Sequence, residues 1–303
     1  MTEGATGDGD DGSSRLFHVD GDLVPADEAT VNVRDRGFMY GDAAFETLRA
    51  YGGTVFEWEA HADRLANTCE ALALDHGLTR RGLKSRIDRT LEANDLEDAY
   101  LKLSVSRGVQ PGTLDPDPEV DPTVVVYARP LVRGGLDGEP VFEGPATVRT
   151  VETRRVPDAC LPATAKTHNY LPGILARIEA READPDADEA LLCDADGHLA
   201  EGATSNVFFV SGNVLRTPSL DGPVLAGITR RVVLDLAAEE GIPIEEGTCD
   251  PADVREADEA FLTNTTAEVR PIGTVDGVAV GGGPVTQLLS RLFDRQVERA
   301  CYR

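Results

Sequence analysis

Lysine is scarce in this chain, and one of the few lysines stands where an amine could act as a nucleophile. Of 29 basic residues, only Lys84, Lys102 and Lys166 are lysines; the rest are arginines. A guanidinium stays protonated, whereas a lysine amine in a partly desolvated site can shed its proton and attack a carbonyl carbon. Lys166 lies in Pro162-Ala163-Thr164-Ala165-Lys166-Thr167-His168-Asn169-Tyr170, with no adjacent carboxylate, at the mouth of a helix expected over Tyr170–Arg181. Alone, this segment also reads as an ordinary surface lysine. A second segment, Glu201-Gly202-Ala203-Thr204-Ser205-Asn206-Val207-Phe208, sets a glutamate at a turn leading into an apolar strand. A carboxylate there can hold a heterocyclic nitrogen protonated and make its ring an electron sink. A solvated turn glutamate is the plain alternative. A third segment, Val224-Leu225-Ala226-Gly227-Ile228-Thr229-Arg230, puts a glycine before a helix. The unpaired N–H groups and dipole at such a helix start suit a phosphate.

These groups need elements to position them. Asp20-Gly21 predicts a hairpin between Leu16–Val19 and Leu23–Pro25, and Gly52-Gly53 a second between Phe45–Tyr51 and Thr54–Trp58. Apolar residues at helical spacing predict helices over Ala60–Leu74 and Thr79–Asn94, followed by strands over Ala99–Val105 and Thr123–Ala128. Between those strands, Gly108–Pro122 is a Pro/Gly/Asp loop too long for a simple connection, which marks it as functional. Leu131–Pro140, with Gly134, Gly135 and Gly138, is the best linker. Beyond it come strands over Glu189–Cys193, Asn206–Val210, Val214–Arg216 and Glu259–Thr263, and helices over Ile228–Glu240 and Pro284–Tyr302. The fold class is α+β, in two domains: a tail over 1–14 expected to be disordered, a small domain over 15–130, a linker over 131–145 and a large domain over 146–303.

Composition closes several routes. Net charge is −25, so nucleic acid, which needs a basic face, is excluded as a partner. An acidic surface so poor in lysine points to a host with high internal salt, where screening relieves self-repulsion. Cys69, Cys160, Cys193, Cys249 and Cys301 are widely spaced, and His18, His61, His76, His168 and His198 lack ligand spacing. No disulfide framework and no metal site is expected. No segment has the apolar length of a membrane span, and Met1–Ser14 lacks the features of a signal peptide, so a cytoplasmic protein is expected.

Together the three segments resemble the fold-type IV pyridoxal-phosphate enzymes, the class IV aminotransferase family. That family includes branched-chain aminotransferases, D-amino-acid aminotransferases and aminodeoxychorismate lyases. Asp35-Arg36-Gly37-Phe38-Met39-Tyr40-Gly41-Asp42-Ala43-Ala44-Phe45-Glu46-Thr47-Leu48-Arg49 looks like the family's N-terminal signature. His61-Ala62-Asp63-Arg64-Leu65 is similar to the helix whose arginine grips the cofactor phosphate, and Thr263-Asn264-Thr265-Thr266-Ala267-Glu268-Val269 resembles the late substrate and phosphate loop. The resemblance implies pyridoxal 5'-phosphate as cofactor and Lys166 as its Schiff-base lysine and proton shuttle. It implies Glu201 as partner of the pyridine nitrogen, and Arg64, the N–H groups of Ile228 and Thr229, and the Thr265 hydroxyl as phosphate ligands. Tyr170 is placed near the cofactor ring. Tyr40, Lys102, Arg107 and Thr266 are candidates for the substrate. A homodimer is implied, with Gly108–Pro122 closing the neighbouring subunit's site.

Two reactions stay open on these motifs. Asn169 follows Lys166 by three residues, the spacing of D-amino-acid aminotransferases and lyases, and Leu101–Gly108 and Asn264 look lyase-like, whereas Thr265-Thr266-Ala267-Glu268 looks like the aminotransferases. Lys102 and Arg107 stand at odd separation and face opposite sides of a regular strand, so one of them is placed to bind a carboxylate. Amino transfer between an amino acid and a 2-oxo acid is the leading expectation. The lyase that makes 4-aminobenzoate and pyruvate from aminodeoxychorismate comes second, and a catalytically silent binding protein on the same fold third.

Overall fold

The computed structural model describes residues 15–131, 133 and 141–302, so the expected tail over 1–14 and most of the expected linker lie outside the described residues. The N-terminal elements run β1 (Leu16–Val19), β2 (Asp22–Pro25), α1 (Arg36–Tyr40), β3 (Ala43–Tyr51), β4 (Thr54–Val55), α2 (Trp58–Ala71), α3 (Arg80–Ala93), β5 (Ala99–Ser106) and β6 (Val124–Pro130). Gly52 and Gly53 both sit at positive φ, 52° and 74°, which is the twist a two-residue hairpin demands. The strand after that hairpin is shorter than expected. Glu57 turns the chain at φ 53°, and Trp58 already belongs to α2. The Thr79 side chain accepts from Gly82 N–H and so caps α3.

The six strands form one antiparallel sheet in the order β2-β1-β6-β5-β3-β4. Its two faces differ. Leu101, Leu103, Val105, Val124, Val126 and Leu48 are buried with Leu65, Leu83 and Ile87 of α2 and α3. The alternate residues of β5, Tyr100, Lys102 and Ser104, are half-buried on the opposite face. That polar face is the wall of a cavity.

The remaining elements are β7 (Ala146–Arg154), α4 (Leu171–Ala183), β8 (Glu189–Cys193), β9 (Leu199–Gly202), β10 (Asn206–Ser211), β11 (Val214–Pro218), α5 (Ile228–Glu239), β12 (Ile244–Gly247), α6 (Pro251–Arg255), β13 (Glu259–Asn264), β14 (Glu268–Val275), β15 (Val278–Ala279) and α7 (Pro284–Cys301). They build a nine-stranded mixed sheet in the order β12-β11-β10-β13-β14-β7-β8-β9, with β15 beside β14. On one side α5 and α7 pack with Phe208, Phe261 and Val269, and this cluster also takes in Tyr51 and Phe56 from the first sheet's chain segment. α4 lies on β7 and β8 through Ala176, Ala180, Val151 and Leu192. The fold is α+β, as expected. Among the described residues no helix is long and apolar enough to cross a membrane, and no cluster of metal-ligating side chains occurs.

Candidate active site

The segment 155–170 crosses from the large sheet to the small one and carries Lys166 into the space between them. Its backbone is tied on both sides. Lys166 N–H donates to Thr68 Oγ1 at 3.0 Å, Phe45 N–H donates to Lys166 O at 3.0 Å, and His168 N–H donates to Ala43 O at 3.0 Å. The amine is thus aimed by β3 and α2. Lys166 Nζ lies 2.8 Å from the Tyr170 hydroxyl and 4.4 Å from the Phe45 ring centroid, and no carboxylate pairs with it among the described residues. It opens onto a cavity of about 930 Å³.

Glu201, at the end of β9, faces the same cavity. Its Oε1 is 2.9 Å from Arg155 NH2, while Oε2 accepts from Leu225 N–H at 3.0 Å and from Asn206 Nδ2 at 3.3 Å. Burial holds the Glu201 carboxyl above the usual range, and Arg155 with the Leu225 N–H offsets only part of that rise. Asn206 Nδ2 also reaches Leu225 O at 3.0 Å, and a Cβ at Gly227 would fall 2.0 Å from Asn206 Oδ1. Only glycine therefore lets α5 begin beside this amide. Among the described residues no side chain caps α5, and Ile228 and Thr229 of its first turn line the cavity.

Arg64, from α2, reaches the same corner. Glu46 on β3 grips it by Nε at 2.8 Å and NH2 at 2.6 Å, and NH1 donates to Ala226 O at 2.9 Å. Of five guanidinium N–H groups, two remain for a ligand. His61 Nδ1 lies 2.8 Å from Glu46 Oε2. Burial opposes ionisation of Glu46, yet Arg64 and His61 hold its carboxyl down to about 2. Burial likewise works against the Arg64 charge, and Glu46 overrides it. Thr263, Thr265 and Thr266 complete this end, and the buried Thr263 Oγ1 has no hydrogen-bond partner among the described residues. A buried hydroxyl without a partner, an uncapped helix start and a clamped guanidinium suit an anionic group, and Glu201 suits a basic ring nitrogen. The residues fit pyridoxal phosphate.

The opposite end is the polar face of the small sheet: Thr47 of β3, and Tyr100, Lys102, Ser104 and Ser106 of β5. Lys102 Nζ sits 4.6 Å from the Phe45 centroid and has no hydrogen-bond or ion-pair partner among the described residues. Burial, then the Lys166 charge, lowers its pKa. His168 Nε2 is 3.1 Å from Ser104 Oγ, and burial and Lys102 hold its pKa down to about 4, so the ring is neutral near pH 7.

The structure thus brings Lys166, Arg64, Tyr170, Glu201, Ile228, Thr229, Thr265, Thr266 and Lys102 to one cavity. It does not bring Arg107 or Tyr40 there. Arg107, just past β5, leaves from the face opposite Lys102 and binds Asp42 Oδ2 at 2.8 Å and the carbonyls of Leu72 and Ala73 at 2.7 and 2.9 Å. It closes the C-terminal end of α2, where a cation is favoured. α1 shows Gly37 and Phe38 to the cavity, whereas Tyr40, two residues further round the helix, stacks under Arg36 at 5.1 Å. Sequence reasoning gave no role to Glu46, Thr68, Arg155, Asn206 or His168. Glu46 carried one signal, a charge that only Arg49 shares inside the mostly buried strand β3.

The chain matches the family model described as amino-transferase class IV over residues 43–275. It is 38% identical over 281 residues to a Methanocaldococcus jannaschii protein provisionally named a branched-chain-amino-acid aminotransferase, covering 92% of this chain and 94% of that one. It is 33% identical to a D-alanine aminotransferase of Listeria innocua, covering 92% and 95%. The crystal structure of an aminotransferase from Brucella abortus bound to the cofactor PLP superposes with a TM-score of 0.83 at 27% identity, covering 94% of this chain and 99% of that one.

Proposed function

The chain belongs to the class IV aminotransferase family and is a pyridoxal-phosphate aminotransferase; on that premise we propose how its residues divide the work and what it accepts. The observation that carries the reading is the convergence of Lys166 Nζ, Glu201 and the uncapped start of α5 on one cavity. When bound, pyridoxal phosphate supplies an aldehyde that takes up an amino group and a ring that accepts the electron pair of the substrate's Cα–H bond. Lys166 is the amine that attaches the cofactor and, once released, carries the proton to and from the substrate carbon. Tyr170, 2.8 Å away, orients that amine. Glu201 holds the ring nitrogen protonated. Arg64, the N–H groups of Ile228 and Thr229, and the Thr265 hydroxyl hold the phosphate, and Thr266 borders the substrate.

Lys102 defines the substrate class. An ammonium half-buried without a counter-charge carries a desolvation cost that an anionic ligand relieves. One of the two substrates therefore bears a second carboxylate, as in glutamate and 2-oxoglutarate. The polar neighbours Thr47, Tyr100, Ser104 and His168 fit such a group better than a purely branched-chain side chain.

The protein works as a homodimer of two-domain subunits, divided as 15–130 and 146–303, in the cytoplasm. Leu171, Ile174, Leu175 and Ile178 of α4 are about half exposed at i, i+3, i+4 and i+7 spacing, and Phe38 and Leu114 project from α1 and the loop 108–122. Apolar stripes of this kind mark a partner surface, and a second copy fits it. The test of function is incubation with an amino-acid panel plus 2-oxoglutarate, with aminodeoxychorismate as a separate arm. Glutamate formation supports the proposal. Release of 4-aminobenzoate and pyruvate without amino transfer overturns it.

A further inference from the structure

Arg155 stands at the cavity wall directly behind Glu201, and nothing in the division of work above uses it. It is built in. Its backbone N–H donates to Cys193 O at 2.9 Å, its Nε donates to Pro223 O at 3.1 Å, and its NH2 meets Glu201 Oε1 at 2.9 Å. The Pro223 contact fixes the guanidinium to the same segment, 223–227, that leads into α5 and supplies the Leu225 N–H to Glu201 Oε2. Glu201 is therefore gripped on both oxygens by groups that favour its anion. Its remaining acceptor capacity on the cavity side is left for a ligand.

From this geometry we infer that Arg155 is a positioning residue that keeps Glu201 a carboxylate and thereby places the shared proton on the cofactor's ring nitrogen. The inference rests on the reading that Glu201 faces that nitrogen. A buried carboxyl and a basic ring nitrogen in contact share one proton, which settles on the group with the higher proton affinity. Burial favours the neutral acid, and the adjacent guanidinium offsets part of that preference. Arg155 is in direct contact with the carboxylate, so its charge would lower the proton affinity of Glu201 more than that of a ring nitrogen bound on the cavity side. No other cation pairs with Glu201 among the described residues. Without Arg155 the proton retreats to Glu201, and the ring becomes a weaker electron sink although every cofactor contact remains.

The test is the ¹⁵N resonance of ring-nitrogen-labelled pyridoxal phosphate bound to the parent, Arg155→Gln, Arg155→Lys and Glu201→Gln proteins near pH 7. The parent should show a protonated ring. Arg155→Gln should move the resonance at least half of the way that Glu201→Gln moves it, and Arg155→Lys should restore most of the parent position. If Glu201→Gln shifts the resonance and Arg155→Gln does not, this inference fails while the Glu201 assignment stands. If neither shifts it, the Glu201 assignment itself fails. Cofactor-free protein gives an independent readout that does not need the loaded site. Arg155→Gln should show a protonated-carboxyl infrared band at pH 7 that vanishes when Glu201→Gln is added, and absence of that band overturns the inference.

Discussion

At the end of the cavity formed by α5 and β9, Arg64 is clamped by Glu46 and Glu201 by Arg155, whereas at the end formed by β3, β5 and β6 the Lys102 ammonium has no hydrogen-bond or ion-pair partner among the described residues. The contrast fits the roles proposed for the two ends. A permanent cofactor is met by groups already paired and fixed, so little reorganisation is needed when it binds. A transient substrate is met by a charge left unpaired, so binding itself relieves a cost and the product can leave again. The end proposed for the phosphate is also the better buried: Glu46 and Arg64 lie between α2 and β3, while Lys102 is half-buried on a cavity-facing sheet face.

Removing the clamped charge should have the largest effect. Arg64→Ala takes away a buried, hydrogen-bonded cation proposed to hold the phosphate, and such truncations cost roughly 2–5 kcal/mol. Dialysed protein should lose pyridoxal phosphate and regain part of its activity when the cofactor is added in excess. Arg64→Lys should recover only part, because the fork to Glu46 is lost. Retention as tight as in the parent would make the two ends of the cavity alike.

Glu46 offers the same comparison through pH. Its folded carboxyl is held at about 2 against a usual value of 4.5, so the ion pair stabilises the fold above about pH 4.5 and that contribution drains away as pH falls toward 2. The amount is on the order of 3 kcal/mol. Glu46→Gln should lower the melting temperature at pH 7 and flatten the acid limb of the stability curve. Chemical unfolding measured from pH 7 down to 3 checks this, and parallel curves for parent and variant would contradict it.

Much of the architecture was legible because its signals are local. Asp20-Gly21 and Gly52-Gly53 marked the hairpins, helical spacing marked α2, α3, α5 and α7, and lysine scarcity drew attention to Lys166 together with Lys84 and Lys102. The strands β7 and β14 were not legible. In β7 the alternation breaks at Thr150-Val151, where the ladder to β8 shifts register, and β14 carries Arg270-Pro271, which reads as a loop. The same limit hid Arg155. It sits beside Arg154 just after β7, and nothing in the chain distinguishes the arginine that meets Glu201 from its neighbour on Glu152. Arg107 failed for the opposite reason: the spacing correctly set it across the strand from Lys102, but only the fold shows that its side is the end of α2.

A smaller effect is expected at the unpaired end. Lys102→Met should raise KM for a dicarboxylic substrate by about tenfold, about 1.4 kcal/mol, with cofactor affinity unchanged. Turnover of an apolar amino acid should hold or improve. Arg107→Ala should do the reverse, lowering stability and leaving KM alone. Steady-state kinetics on both variants, with equal losses for both substrate types, would remove Lys102 from substrate recognition.

The smallest effect comes from outside the cavity. With a net charge of −25, the surface repels itself, and added potassium chloride should raise the melting temperature by screening that repulsion. The buried pairs at Glu46 and Glu201 are shielded from salt, so cofactor affinity should change far less than stability. A melting temperature that falls with added salt would contradict this.

Lys166 is the amine we propose carries the cofactor. Borohydride reduction of the loaded protein, followed by peptide mapping, fixes the cofactor to whichever amine holds it. The pyridoxyl group should appear on the peptide containing Lys166, and Lys166→Ala should yield no labelled peptide. A label on Lys84 or Lys102 in the parent protein would contradict the account.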